Sequence, residues 1–321
     1  MMRIFGKHST TGNVLSGLDL TGKRVLVTGV SSGLGVETAR ALVSHGAQVV
    51  GAARDLAKAR LATEGVRQAA VDGGGSFELV ELDLTSLASI RACSDRLLED
   101  SKTFDIVIAN AGVMATPLGR TADGFETQFG TNHLGHFLLV NRVAPMIADN
   151  GRLVVLSSAG HRMADINLDD PNFERSAYDP WVAYARSKTA NSLFAVEFDR
   201  RHRGRGIRAA AVMPGVISTG LIRHMTPEQL EAIVAQLKEA SEAAGAPPLE
   251  YKTIEQGAAT SVWAAVVADG DLVGGRYCEN CSVADVADEG GFDEGVRSYA
   301  LDQDSAKRLW AKSEELVEEH F

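Results

Sequence analysis

From Lys23 onward, short apolar runs alternate with longer stretches whose apolar residues recur at helical spacing. Arg24-Val25-Leu26-Val27-Thr28 has the pattern of a buried strand, and the glycine turn from Gly29 to Gly35 opens a helix that runs to about His45. Residues 47–53 and 77–82 read as the next strands. Asp83-Leu84-Thr85-Ser86 then leads into a helix to about Glu99, with Ser86 as its N-cap. A fourth strand over 104–109 ends at Asn110-Ala111-Gly112, and a long helix is expected from about Gly124 to Ala148. Residues 151–156 form the next strand and end in Ser157-Ser158. A polar, proline-containing segment fills 159–180, long enough for an active-site insertion or a surface excursion. A helix follows through Trp181, Tyr184, Lys188, Leu193 and Val196, and a buried strand over 208–213 reaches Pro214-Gly215-Val216-Ile217-Ser218-Thr219. Strand and helix repeating in this way predict an α/β fold with a doubly wound parallel sheet. Such sheets bind ligands at the carboxyl ends of their strands.

The flanks read differently. Residues 1–22 are a polar lead-in expected to pack loosely, with Leu15 and Leu18 as anchors. Residues 217–250 hold a loop and an amphipathic helix begun by Thr226-Pro227-Glu228 and closed by Pro247-Pro248, either a substrate lid or a packed surface helix. Residues 282–302 are acidic and glycine-containing, expected as an exposed loop. A terminal helix over 303–320 takes its apolar positions from Leu309, Trp310, Leu316 and Val317. The expected organisation is one domain over 23–281, with the lid inserted and the segment 282–321 appended.

With 321 residues, 45% of them hydrophobic, the chain has enough apolar material for a large core. The formal net charge of −10 disfavours a nucleic-acid partner. Cys93, Cys278 and Cys281 make no disulfide framework, and no apolar run approaches about 18 residues, so a cytoplasmic protein without a membrane partner is expected. Cys278 and Cys281 are spaced C-x-x-C but lack a second pair or nearby histidines, so no metal site is expected. His133 and His136 read as surface or packing residues for the same reason.

Candidate chemistry gathers at strand ends. Glycines at 29, 33 and 35 between a strand and a helix suit a pyrophosphate, which the helix N-terminus attracts with unpaired N–H groups. An adenosine ribose would then lie near residue 54, where an acidic residue commonly selects NAD. Here Ala53 is followed by Arg54, which suits the 2′-phosphate of NADP unless Asp55 pairs with it. Asp83 and Asn110-Ala111-Gly112 are candidates for the adenine and its ribose, or ordinary turn residues. Asn132 is an unusual residue for the middle of an apolar helix. Tyr184 and Lys188, four residues apart, leave the same helix face. An ammonium beside a phenol of pKa about 10 lowers that pKa and makes the tyrosine a usable proton donor or acceptor.

Taken in order, Thr28-Gly29-x-x-x-Gly33-x-Gly35, Asp83, Asn110-Ala111-Gly112, Asn132, Ser158, Tyr184-x-x-x-Lys188 and Pro214-Gly215 resemble the short-chain dehydrogenases/reductases over roughly residues 20–280. The 26 positions between Ser158 and Tyr184, the stretch from Glu255 to Thr260, and Gly274-Gly275-Arg276-Tyr277 resemble the branch of retinol dehydrogenases and the WW-domain oxidoreductase. The resemblance implies a Rossmann-type fold. It also implies a catalytic set in which Tyr184 passes a proton, Ser158 holds the substrate oxygen, Lys188 holds the nicotinamide ribose, and Asn132 opens the long helix for a water relay. Ser157 is expected to cap the strand instead. The cofactor, NADP by preference and NAD otherwise, would contact Gly29, Ser31, Ser32, Gly33, Leu34, Arg54, Asp83, Leu84, Asn110, Ala111, Gly112, Tyr184, Lys188, Pro214, Gly215, Val216 and Thr219. The implied reaction interconverts a secondary alcohol and a ketone or aldehyde. A silent nucleotide-sensing scaffold on the same fold is the alternative, and the intact Ser158, Tyr184 and Lys188 disfavour it. Family members often pair two long helices in homodimers and homotetramers. Phe137-Leu138-Leu139-Val140 would permit this or face the core.

Overall fold

The computed structural model describes residues 5–217, 250–289 and 295–321. Eight strands, β1 (Arg24–Thr28), β2 (Gln48–Ala53), β3 (Ser76–Glu81), β4 (Phe104–Ala109), β5 (Ile147–Leu156), β6 (Arg208–Met213), β7 (Arg276–Glu279) and β8 (Ser282–Val283), form one sheet. Their order is β3-β2-β1-β4-β5-β6-β7-β8, and every pair is parallel except β7 with β8. The direction of strand succession reverses between β1 and β4. The helices following these two strands therefore leave on opposite faces, and a crevice opens at their carboxyl ends. All residues of β1 and β6 are buried, as expected when helices cover both faces. Alternation along β1 sends Leu26 into one apolar layer with Phe137 and Phe194, and Val25 and Val27 into the other with Val212 and Trp263.

The lead-in is more tightly held than its polarity suggests. Helix α1 (Thr11–Leu15) begins with a capping box between Thr10 and Asn13, and the Thr11 hydroxyl donates to Glu37 on α2 (Gly33–Val43). Val14 and Leu15 are fully buried, whereas Leu18 is 37% exposed, so Val14 replaces Leu18 as the second anchor. Helices α3 (Leu56–Ala62), α4 (Glu64–Gly73) and α5 (Leu87–Glu99) follow, and Ser86 caps α5 as expected.

The helix expected over 124–148 is broken into pieces. Gly124 has φ +88°, and Glu126 caps a short turn, Thr127–Phe129, by accepting the N–H groups of Gln128 and Phe129. A π-helical turn, Gly130–Leu134, then precedes α6 (Gly135–Val143). Pro145 has no N–H to extend the ladder, so the chain closes in the 3₁₀ turn Ala144–Met146 and enters β5 four residues earlier than the apolar pattern indicated. Segment 159–180 is ordered by Asp170, whose carboxylate accepts from Glu174, Arg175 and Ser176. The Ser176 hydroxyl and these N–H groups hold its pKa down to about 2. Helix α7 (Pro180–His202) starts at Asp179, which accepts from Trp181 N and Val182 N.

The expected lid helix lies outside the described residues. Beyond it, α8 (Ile254–Val262) packs against α2, and no helix among the described residues is long and apolar enough to cross a membrane. Residues 282–302 are not simply an exposed loop. Val296 and Ala300 are fully buried, and Val296 exchanges backbone bonds with Asp285 and Ala287, because this stretch closes over the turn that follows β5. Helix α9 (Gln303–Val317) lies along α7. Its Trp310 ring sits 5.0 Å from Phe137 and 5.9 Å from Phe194, with the Arg201 guanidinium 4.1 Å over its face. Phe137, Leu138, Leu139 and Val140 are fully buried within this single chain, so they face the core. Trp310→Ala is expected to destabilise the protein by about 3–5 kcal/mol, read from the denaturant midpoint. A loss below about 1 kcal/mol would show that α9 is peripheral to the core.

Candidate active site

Most candidate residues follow the carboxyl ends of strands, Asn132 sits in the π turn, and Tyr184 and Lys188 lie in the first three turns of α7. At the end of β1, Gly29 has φ +79°, and a Cβ there would lie 2.8 Å from Ala111 Cα. A Cβ on Gly35 would come within 2.4 Å of the Gly29 carbonyl oxygen. Glycine is required at both positions. The Thr28 hydroxyl oxygen accepts from Asn110 N and Ala111 N, both at 3.0 Å, and Asn110 Nδ2 donates to Thr28 O at 2.8 Å. These bonds join the ends of β1 and β4. Ser32 precedes the 11-residue α2 without a side-chain cap bond, and Ser31, Gly33 and Leu34 complete the turn. A close-backbone glycine turn at such a helix start fits a pyrophosphate.

At the end of β2, Arg54 is exposed, and it has no ion pair among the described residues. Asp55 caps α3, its Oδ1 accepting from Lys58 N at 2.9 Å, and it makes no ion pair with Arg54. Asp83 accepts from the N–H and hydroxyl of Thr85, while the Leu84 side chain is buried against Gly135. Part of each residue is thus ordinary turn and packing chemistry.

The π turn accounts for Asn132. Its Oδ1 accepts from Val113 N at 2.8 Å, and its Nδ2 donates to Val113 O and Ser187 Oγ, both at 2.9 Å. The asparagine ties the loop after Gly112 to α7, and the helix is open at that point. A Cβ on Gly112 would fall 3.0 Å from Asn132 Oδ1 and 3.6 Å from Lys188 Nζ, so these groups share one corner of the crevice.

Ser158 is half-buried and its Oγ accepts from Gly160 N at 3.1 Å; a Cβ on Gly160 would lie 2.9 Å from the Tyr184 ring and 3.4 Å from Ser158 Oγ, so the two side chains meet at that glycine. Ser157 points the other way. Its hydroxyl donates to Lys188 O and receives one from Ser192, so it anchors α7 rather than capping the strand. Lys188 Nζ donates to Leu156 O at 2.9 Å and lies 5.7 Å from the centre of the Tyr184 ring.

The electrostatics depart from the expectation that Lys188 lowers the tyrosine pKa. Burial pushes Tyr184 up to about 12, and the neighbouring Ser158 hydroxyl opposes this only in part. Burial also pushes Lys188 down to about 8. Desolvation acts against the charged form of both groups, and the ammonium is turned toward the Leu156 carbonyl.

Residues 23–230 match the short chain dehydrogenase family. The chain belongs to the short-chain dehydrogenases. Human retinol dehydrogenase 14 is 38% identical over 309 residues, covering 92% of this chain and 86% of that protein, which shows the retinol dehydrogenase-like branch. A crystal structure of an uncharacterised Mycobacterium paratuberculosis protein superposes with a TM-score of 0.72 at 33% identity, covering 98% of this chain and 99% of that one. A Burkholderia cenocepacia short-chain dehydrogenase in complex with NADP shares the fold, with a TM-score of 0.62 at 22% identity over 81% of this chain and 97% of that one. This dehydrogenase is therefore an oxidoreductase by family.

Three contributors escaped the sequence reading. Lys252 is 8% exposed and crosses Gly215 closely enough that a Cβ there would lie 2.7 Å from its Cδ. Its N–H donates to Val216 O, and its Nζ to Asn280, so it braces the Pro214-Gly215-Val216 turn. His161 donates from Nδ1 to Ser158 O at 2.7 Å and accepts Arg297 N on Nε2. His136 joins Thr28 to Asn132. None of the three carried a local sequence signal of this role. Thr219 lies outside the described residues.

The buried ammonium predicts a pH-dependent stability. Below about pH 8 the folded chain carries the desolvated charge in full, and the penalty is relieved as pH rises from there to 10.5. Lys188→Met is expected to be more stable than the parent at pH 7, by up to about 3 kcal/mol. The gap should close across that window when both proteins are unfolded with urea. A gap independent of pH would show that the lysine is not desolvated.

Proposed function

We propose that this dehydrogenase interconverts a secondary alcohol and its ketone, or a primary alcohol and its aldehyde, using NADP in preference to NAD. The observation that carries the reading is the gathering of Ser158, Tyr184 and Lys188, the first two meeting at Gly160 and the third beside Gly112 and Asn132. The glycine turn at 29–35 fits a dinucleotide pyrophosphate. Arg54, free of Asp55, is suited to a 2′-phosphate, and the NADP complex of the Burkholderia relative supports the same cofactor.

A bound nicotinamide supplies or takes the hydride. In the reductive direction Tyr184 donates its proton to the substrate oxygen, and its elevated pKa keeps that proton in place at neutral pH. Ser158 Oγ donates a hydrogen bond to the same oxygen and fixes it at reacting distance. Lys188 offers its ammonium to the cofactor's ribose hydroxyls from the corner beside Gly112. Asn132 holds the π turn open, and a water there links Lys188 to solvent. The other contacts in this reading come from Ser31, Ser32, Gly33, Leu34, Asp83, Leu84, Asn110, Ala111, Pro214, Gly215, Val216 and Thr219. The domain spans residues 23–281, and a cytoplasmic location accords with three free cysteines.

Tyr184→Phe is expected to lower kcat at least about 100-fold while NADPH still binds, as read by nicotinamide fluorescence. Unchanged turnover across a panel of ketones and alcohols would remove the tyrosine from the mechanism. Arg54→Ala is expected to raise KM for NADPH about 10-fold or more and leave NADH within twofold. Equal losses for the two cofactors would show that the arginine does not read the 2′-phosphate.

A further inference from the structure

His136 stands one turn after Asn132 and is fully buried. Its Nδ1 lies 3.0 Å from the Asn132 carbonyl oxygen and its Nε2 lies 2.9 Å from Thr28 Oγ1. A carbonyl oxygen only accepts, so Nδ1 carries the hydrogen and the neutral ring's Nε2 accepts from the Thr28 hydroxyl. With its hydrogen committed in that direction, the Thr28 oxygen is left to accept Asn110 N and Ala111 N. One tautomer satisfies all of these groups together. Burial pushes the imidazole down to about 4, against the Asn132 bond and with the repulsion of Lys188, so the neutral ring is the form present at physiological pH.

We infer that His136 is a positioning residue that spaces the Gly29 turn against the Asn132 π turn, and so couples cofactor binding to the placement of Lys188. The two ends it joins have separate duties in the proposed reaction. Thr28 begins the glycine turn and holds the Asn110 loop. Asn132 holds the Val113 backbone and Ser187, next to Lys188. Among the described residues, no other hydrogen bond runs directly from β1 to the π turn or to α6. His133, three residues earlier, is buried as completely and pushed down to about 3, but its Nε2 meets Ser313 on α9 at 2.8 Å and its ring lies among Phe129, Phe137 and Phe194. It serves the core and not the crevice, which makes it the matched control.

The inference rests on the reading of the crevice as a nicotinamide site, and NADPH binding tests the two separately. His136→Phe keeps the ring and removes both bonds. It is expected to raise the NADPH Kd at least 10-fold by fluorescence titration, with KM for NADPH rising in parallel and kcat at saturating cofactor falling less. His133→Phe is expected to lower the thermal midpoint comparably yet keep Kd within twofold. His136→Gln, whose amide oxygen accepts from Thr28, should recover most of the affinity. In the double variant with Thr28→Val, the loss should be no larger than in the worse single variant, because both break one connection. Should His136→Phe not fold, Thr28→Val alone is titrated, and an unchanged Kd there overturns the inference. A His136→Phe protein that binds NADPH within twofold of the parent also overturns it, as does equal loss in His133→Phe. A parent that binds neither NADPH nor NADH overturns the functional reading, and the role of His136 with it.

Discussion

The ammonium of Lys188 must be kept charged in a place that water barely reaches. Burial alone pushes its pKa down to about 8, and the surrounding structure opposes that loss with few groups. The Leu156 carbonyl accepts from Nζ and also from Asn191 Nδ2, so the last residue of β5 binds two side chains of α7. Ser157 bonds the backbone of Lys188 itself, and Ser192 completes the chain. Strand end and helix are thereby held in one register. That register sets Tyr184 against Ser158, because both helix residues project from the same face.

A second constraint acts from the far end of the chain. The turn bearing Ser158 is held by His161, whose ring donates to Ser158 O and accepts from Arg297, while the Tyr299 hydroxyl donates to His161 O. Helix α9 then covers α6 and α7 through Trp310, and Glu319 meets Arg91 and Arg142 beside them. The C-terminal segment is thus part of the support for the candidate site rather than an appendage. Interior side chains near close packing transmit such support over more than one layer.

Glycine, asparagine and histidine each do in this crevice what their chemistry permits and their neighbours require. Gly29 and Gly35 admit backbone where any Cβ would collide, Asn132 uses both ends of its amide to bridge a loop and a helix, and His136 uses both ring nitrogens in a single tautomer. The polar groups with these partners are buried together, and each bond's value rises as water is excluded. The tyrosine shows the opposite side of that rule. Without a facing charge, burial holds Tyr184 in its neutral form.

The strands, the glycine turn and the spacing of Tyr184 and Lys188 were legible in the chain because they are local: apolar runs, φ-permissive residues and helical periodicity need no distant partner. The ordered motif set carried the family for the same reason. The break of the long helix was only half legible, since Asn132 marked it but the end at Val143 depended on Pro145 and the early entry into β5. The sequence by itself therefore determined the fold class and the family, and it named Ser158, Tyr184 and Lys188 as the candidate site. Only the tertiary structure decided that Lys188 faces Leu156 O instead of the tyrosine hydroxyl, that Asp55 leaves Arg54 alone, and that His136, His161 and Lys252 brace the crevice. Those outcomes rest on contacts between residues far apart in the chain, whose direction and desolvation exist only once the layers have packed.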